Sequence, residues 1–338
     1  MRTGPVPPPS RRIAHILALG LLALLGGCAS PPPPSQLLGV PSGKLEVHLI
    51  DVGQGDAILV RCPEGIHEML IDSGDTRYPG SSAKFKTYME KHQAKQNQIE
   101  VVVASHPHAD HIGNMQWVVE NYPIGLYVDS GMKATTAGYK KLMNAVELHH
   151  VAHKTAQDAQ IPEIKFCTLP EVKARILRPA HYAEDEDDPN NVSVIVRIDY
   201  KDQSFLFVGD CEGPEEQLLM NDPETEKLLK CDFLKAGHHG SNTSSSAEFL
   251  NHVQPKFVGV SCGEKGVGTN IKYKHPRFET LKSLLGHADP REGPAVTVDA
   301  YATQDGVWKT IKLNAAVYVT QGQGDLDFEC DGKEIHKK

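Results

Sequence analysis

The chain has no basic tract. Its 338 residues carry 35 Lys and Arg against 43 Asp and Glu, a formal charge of −8. That argues against a protein gripping nucleic acid through a broad cationic surface, because such binding draws on counterions displaced from a phosphate backbone. It leaves room for an enzyme that meets a phosphodiester locally, at a metal. No two of the seven cysteines stand in a Cys-x-x-Cys arrangement, so a thiolate zinc site is not expected. No internal repeat is evident. The apolar run Ile13 to Leu25 is shorter than a typical membrane-spanning helix. What is present is a hydrophobic content of 40% in a chain long enough for one large or two ordinary domains.

The apolar run has a destination. Arg11-Arg12 precede it and Gly26-Gly27-Cys28 follow, the layout of a secretory signal with a small-residue cleavage site. Leu25-Gly26-Gly27-Cys28 also resembles a bacterial lipobox, which implies cleavage before Cys28 and its lipidation; an uncleaved anchor is the bland alternative. Stable anchoring takes two lipid-chain signals or more, and Ala29 stands where inner-membrane retention would favour Asp. The expected address is therefore extracytoplasmic, at the outer membrane facing the periplasm if the host has one. Loss of Arg2, Arg11 and Arg12 with the leader would take the chain to about −11. The proline run Pro31 to Pro34 then makes a semi-rigid spacer. The organisation expected is a leader over 1–27, a linker over 28–44, a folded domain over 45–313 and a C-terminal extension over 314–338. An oxidising compartment permits bridges among Cys62, Cys167, Cys211, Cys231, Cys262 and Cys330, but spacing does not give the pairing.

Short strands are expected at Leu45–Ile50, Ala57–Val60, Met69–Ile71, Ile99–Ala104, Leu126–Val128, near Ile164–Thr168 and at Ala174–Leu177. A hairpin should join Val192–Ile198 to Ser204–Val208, with later strands at Asp232–Ala236, Phe257–Ser261, Ala295–Asp299, Trp308–Leu313 and Ala316–Thr320. Helices are expected within 81–98, from Ile112, over 135–147 and over 214–229. Such alternation suggests sheets covered by helices.

Chemistry concentrates at strand ends. Ser105-His106-Pro107-His108-Ala109-Asp110-His111 puts three imidazoles and a carboxylate behind a β-branched run, so one short loop can feed two adjacent metal positions. Asp210 should emerge at the tip of Phe205–Val208, where a carboxylate could bridge two metals, or serve as a turn residue. Gly237-His238-His239-Gly240 ends another strand, and at least one of its imidazoles should bind metal, the other being a ligand too or a donor just outside the ligands.

Together with Asp51-Val52-Gly53-Gln54-Gly55-Asp56-Ala57, Ile71-Asp72-Ser73-Gly74, Val208-Gly209-Asp210, Leu234 to Ser241, Thr243 to Ser246 and Tyr273-Lys274-His275-Pro276, these segments resemble the metallo-β-lactamase superfamily. The likeness, over roughly residues 45 to 313, is to the hydrolase domain of ComEC/Rec2 competence proteins and their stand-alone relatives. It implies an αββα sandwich, two mixed sheets flanked by helices with metals at one edge. It gives His106 and His108 to a first metal position, Asp110 and His111 to a second, Asp210 to both, and His238 or His239 to the second. The histidine that the superfamily often adds before the Asp210 strand is missing from Asp188–Ser193, which leaves the first position short of a nitrogen; His181 could substitute. Zn2+ fits the histidines, as one ion or two, and Mn2+ would suit a site richer in oxygen.

Asp56 and Asp72 should orient ligand histidines through their other ring nitrogen, although Asp56 could cap a local turn. Ser241, Asn242 and Thr243 offer substrate contacts near a helix N-terminus, or merely cap it. His275 could hydrogen-bond an oxyanion or protonate a leaving group, or be exposed and idle. With a metal acidifying water and Asp210 or Asp110 orienting it, the expected reaction is hydrolysis. A phosphodiester, with DNA among the candidates, is the first substrate expected, and a phosphocholine-type envelope ester the second. β-Lactam hydrolysis and a catalytically inactive envelope lipoprotein are weaker readings. No protein partner can be inferred.

Overall fold

The computed structural model describes residues 1, 4, 43–92, 98–156, 158, 163–177, 187–289 and 296–338. The leader, Cys28, the proline linker and His181 lie outside these residues. In chain order the elements are β1 (Leu45–Leu49), β2 (Ile58–Arg61), β3 (Glu68–Ile71), α1 (Ser81–His92), β4 (Ile99–Val103), α2 (Ala109–Ile112), α3 (Met115–Asn121), β5 (Ile124–Asp129), α4 (Ala137–Leu148) and β6 (His153–Thr155). Then come β7 (Val172–Leu177), β8 (Ile195–Tyr200), β9 (Gln203–Phe207), α5 (Gly213–Asn221), α6 (Pro223–Glu226), β10 (Phe233–Lys235), α7 (Ala247–Val253) and β11 (Phe257–Val260). The chain finishes with α8 (Asn270–Tyr273), α9 (Phe278–His287), β12 (Thr297–Ala302), β13 (Val307–Lys312), β14 (Val317–Val319), β15 (Leu326–Cys330) and β16 (Ile335–Lys337).

Period-two alternation sorts the side chains into three apolar layers. Leu45, Val47 and Leu49 of β1 meet Phe205 and Phe207 of β9 between the sheets. Leu206, Leu234 and Val258 point the other way, onto Leu219, Phe249, Leu250, Leu281 and Leu284 of α5, α7 and α9. Leu59, Leu70 and Val102 pack on Phe85, Met89, Met115, Val118 and Leu142 of α1, α3 and α4. An eight-stranded sheet, β16-β15-β1-β2-β3-β4-β5-β6, thus faces a six-stranded one, β14-β11-β10-β9-β8-β7. Helices cover both outer faces, which makes the αββα sandwich expected. Neighbours β3, β4, β5 and β6 run parallel, as do β9, β10, β11 and β14. In open α/β sheets the carboxyl ends of such strands are where ligands bind.

Four expectations change. The helix over 214–229 divides at Asp222-Pro223, since Pro223 has no N–H for α5 to use and the Asp222 side chain caps α6 by accepting from Glu224 N. The stretch near Ile164 contributes only an isolated bridge to Ala174. The strands β12 and β13 pair with each other as a separate hairpin and join neither large sheet. Residues 314–338 are no appendage: β14 adds in parallel to β11, and β15 pairs antiparallel with β1 from Leu45↔Cys330 to Leu49↔Leu326. The folded domain therefore continues to the last strand.

Cys62 and Cys167 form a disulfide with Cα atoms 5.9 Å apart and a sequence separation of 105. No helix among the described residues is long and apolar enough to cross a membrane.

Candidate metal centre

The tips of β3 and β4 are locked together before any ligand is placed. Asp72, just past β3, adopts φ 59°, and its carboxylate accepts from Ser105 N at 2.7 Å and Ser105 Oγ at 2.7 Å. The same carboxylate holds His111 Nδ1 at 2.8 Å. That contact turns His111 Nε2 toward Asp210 Oδ2, 3.2 Å away.

Between these anchors, the loop carries His106 and His108 with their ring nitrogens 2.9 Å apart, Nε2 to Nδ1. Asp110 and His111 open α2, and both are buried. Asp210 arrives from β9 through Gly209, whose φ is 53° and whose position would put a Cβ 2.8 Å from Ser105 Cβ. A side chain there would push the two sheet edges apart, so glycine is required.

From β10 comes a turn in which His238 and His239 both take left-handed backbone angles, φ 44° and 53°. Each such residue costs roughly 1–2 kcal/mol unless its surroundings hold it. They do: His238 N donates to Gly209 O at 3.1 Å, His238 Nδ1 meets Glu212 Oε1 at 2.7 Å, and His239 Nδ1 meets Ser261 O at 3.1 Å. Asp56 Oδ1 lies 3.3 Å from the same His239 nitrogen, while its Oδ2 pairs with the fully buried Lys235 at 2.6 Å. Gly55 lets Asp56 reach this place, since a Cβ at Gly55 would sit 2.1 Å from Asp110 O.

Two sets of donor atoms result, each within 4.8 Å across: His106, His108 and Asp210, and Asp56, His111, Asp210 and His239. Asp210 belongs to both. Asp56 forms an ion pair with Lys235 and lies on the far side of the His239 ring, so it orients rather than faces the centre. The carboxylate on the open side is Asp110, with Oδ2 3.6 Å from His239 Nε2; His239 Nε2 is 3.4 Å from Asp210 Oδ1. His111 Nε2, His239 Nε2 and Asp210 Oδ1 are buried without any hydrogen-bond partner. Leaving one such atom unsatisfied costs about 1–3 kcal/mol. Two such nitrogens facing an unpartnered oxygen of one carboxylate suit a divalent cation with N and O ligands.

The electrostatics agree. Burial pushes His111 and His239 down, but Asp210 with Asp72, and Asp210 with Asp56, outweigh it and raise both imidazoles well above their ordinary value. Burial pushes Asp210 up, yet His111, His239 and His238 hold it well below the usual carboxylate range. Protons on imidazoles balance the carboxylates here, and a bound cation would release them.

His239 joins Asp110 and His111; His238 stands on the outer side, its Nε2 3.7 Å from Asp210 Oδ2, the oxygen that His106 Nε2 approaches at 3.8 Å. His275 is buried rather than exposed, its ring centroid 5.1 Å from that of His238 and its Nδ1 3.4 Å from Gln54 Nε2. Burial, followed by the facing His239 and His238, pushes its pKa well below the ordinary value, so it is neutral. Ser241, Asn242 and Thr243 line a cleft of about 500 Å³ with His108, Asp210 and His238, while Ser246 caps α7 by accepting from Phe249 N. Thr243 Oγ1 donates to Glu212 Oε1 at 2.8 Å. Sequence reasoning gave no role to Lys235, Glu212 and Gln54. Lys235 had a signal, a lysine inside the apolar Phe233-Leu234-Lys235-Ala236 with no exposed face to occupy.

A model of the metallo-beta-lactamase superfamily matches residues 50–257. ComE operon protein 3 of Bacillus subtilis is 28% identical over 259 residues, 73% of this chain and 31% of that protein. Recombination protein 2 of Haemophilus influenzae is 26% identical, over 75% of this chain and 28% of its own length. Competence protein ComA of Neisseria gonorrhoeae is 28% identical, over 78% and 32%. The chain thus spans about a third of the length of these relatives. Among solved structures, the metallo hydrolase Igni18 of Ignicoccus hospitalis aligns with 79% of this chain and 98% of its own at 15% identity and a TM-score of 0.42.

Proposed function

Because this chain belongs to the metallo-beta-lactamase superfamily, we propose that it is a metal-dependent phosphodiesterase that cleaves nucleic acid outside the cytoplasm. One observation carries the reading: Asp210 is common to two adjacent donor sets, and its Oδ1 is buried and unpartnered opposite two equally unpartnered imidazole nitrogens. His106, His108 and Asp210 would hold one divalent ion, and Asp110, His111, His239 and Asp210 a second. Bound there, a metal supplies Lewis acidity toward phosphoryl oxygen and acidifies water.

The protein's own groups do the rest. Asp110 is held in its charged form, since His239 and His111 outweigh the upward push of burial. It can accept a hydrogen bond from water and orient it. Neutral His275 can donate a hydrogen bond to a phosphoryl or leaving oxygen from the cleft wall. Asp72, Asp56 and Glu212 fix the far nitrogens of His111, His239 and His238, so the near nitrogens are aimed in advance. Relatives named for competence and recombination support nucleic acid as substrate. The Cys62–Cys167 bond supports an oxidising compartment.

The test uses purified protein stripped with EDTA and reloaded with Zn2+ or Mn2+, given bis(p-nitrophenyl) phosphate and a single-stranded DNA oligonucleotide. Cleavage should require the metal. It should fall at least about a hundredfold in Asp210→Asn, more than loss of an outer partner of a ligand costs. A folded, metal-loaded protein inactive on both substrates would refute the assignment.

A further inference from the structure

We propose that the segment from Lys272 to Arg277 binds the backbone of a single nucleic-acid strand and leads it into the Asp210 cleft. This rests on the phosphodiesterase reading and names the substrate class for that site. Within a chain of net charge −8, six consecutive residues carry Lys272, Lys274 and Arg277. Among the described residues none of these three is in an ion pair. Their neighbours are aromatic rings and neutral oxygens: Lys272 Nζ lies 5.4 Å from the Tyr273 ring, Lys274 Nζ and Arg277 Cζ lie 4.6 Å and 5.2 Å from the Tyr301 ring, Lys274 Nζ donates to Tyr301 Oη at 3.4 Å and Arg277 Nη2 to Tyr273 O at 2.9 Å. Arg277 Nε is buried without a hydrogen-bond partner. Arg77, across the same cleft, is by contrast neutralised by Asp75 at 2.8 Å. Unpaired cations concentrated at one place in an acidic protein call for an anion from outside.

The place is the mouth of the candidate metal centre. Lys272, Tyr273, His275 and Arg277 line the cleft shared with Asp210 and His238. The segment is also fixed beforehand. Buried Asn270 donates through Nδ2 to Gly263 O at 2.7 Å and His275 O at 2.7 Å, and its Oδ1 accepts from His275 N at 2.7 Å. Little ordering is left to do when a ligand arrives. A small phosphodiester would engage one cation and leave the others idle. A strand engages several, and its uncovered bases can stack on Tyr273, a half-buried ring lying at 23° to that of His275. A duplex hides its bases and gives Tyr273 nothing to stack on.

The measurement is fluorescence anisotropy of a labelled, cleavage-resistant phosphorothioate oligothymidylate on metal-loaded protein, at several salt concentrations, beside a duplex of the same length. Three phosphate contacts on a single strand give a log–log salt slope of about −2, or roughly twentyfold weaker binding from 50 to 200 mM salt. Lys272→Ala should flatten that slope by about 0.7. Tyr273→Ala should weaken binding roughly five- to 150-fold, and the duplex should bind less tightly than the strand. Binding that ignores salt, or that neither substitution changes, overturns the proposal. So does a wild-type protein that hydrolyses bis(p-nitrophenyl) phosphate with metal yet does not bind the strand, an outcome that leaves the phosphodiesterase standing. Strand binding with the expected slope, in a protein that cuts neither substrate, supports the groove and sinks the phosphodiesterase.

Discussion

Replacing Lys235 with Met should unfold the protein far more readily than a surface lysine would. Lys235 and Asp56 are both essentially inaccessible to water, with Nζ and Oδ2 2.6 Å apart. At an effective dielectric of about 20, unit charges at that separation attract by roughly 6 kcal/mol. Desolvation of several kcal/mol per ion cancels most of this, so the intact pair adds little net stability. Removing only the lysine keeps the cost and loses the compensation. Lys235→Met should therefore destabilise the metal-free protein by about 3–5 kcal/mol, read as a lower midpoint in urea at unchanged slope. Asp56→Asn added to Lys235→Met should recover most of that loss, because the orphaned charge is gone. The same double variant should bind Zn2+ roughly 10- to 100-fold more weakly, since His239 Nδ1 no longer faces a carboxylate. A single variant within about 1 kcal/mol of wild type, or a double variant worse than the single, would refute the reasoning.

Two further outcomes follow from the fold. Reducing Cys62–Cys167, or replacing both cysteines with Ala, frees a loop of 105 residues and should cost about 4–5 kcal/mol by loop-closure entropy; urea midpoints equal with and without reductant would contradict this. His48, buried in β1, is drawn above its ordinary pKa despite burial by Asp327 and Glu46, at 2.8 Å and 3.5 Å. Tyr88, Arg61 and Lys338 share those carboxylates. A raised folded pKa adds stability that is complete below the free-imidazole value of about 6.5 and is lost as pH rises through the folded value. The stability advantage of wild type over His48→Gln should thus be larger at pH 6 than at pH 9, and a gap independent of pH would count against the ion pairs.

Much of the site could be read because metal ligands are few in kind and strands deliver them at their tips. The loop His106 to His111, Asp210 and the His238-His239 pair each follow an apolar run, and all meet in the structure. Which of His238 and His239 lies beside Asp110 and His111 was not legible, since it depends on Glu212 and Ser261 holding the two rings apart. Lys235 went unrecognised because its partner Asp56 lies 179 positions away in the chain. In the fold, the paired strands β8 and β9 announced themselves through one tight connection. The strand β15 did not, although Leu326, Phe328 and Cys330 alternate inward, because its partner β1 is at the other end of the domain. Helix α8 is a single turn of four residues, too short for any periodicity.

The pairing of β1 with β15 also orders events in time. Leu45 to Leu49 find one neighbour in β2 almost at once, but the other, Leu326 to Cys330, is made only after every other strand of the two sheets except β16. Until then the flank of β1 shows bare N–H and C=O groups, the kind of edge on which chains stick to one another. Contacts this distant in sequence make acquisition of the native state slow. Newly made chains should therefore pass through an interval when the first strand is vulnerable to mispairing, and a holding chaperone would act there to best effect.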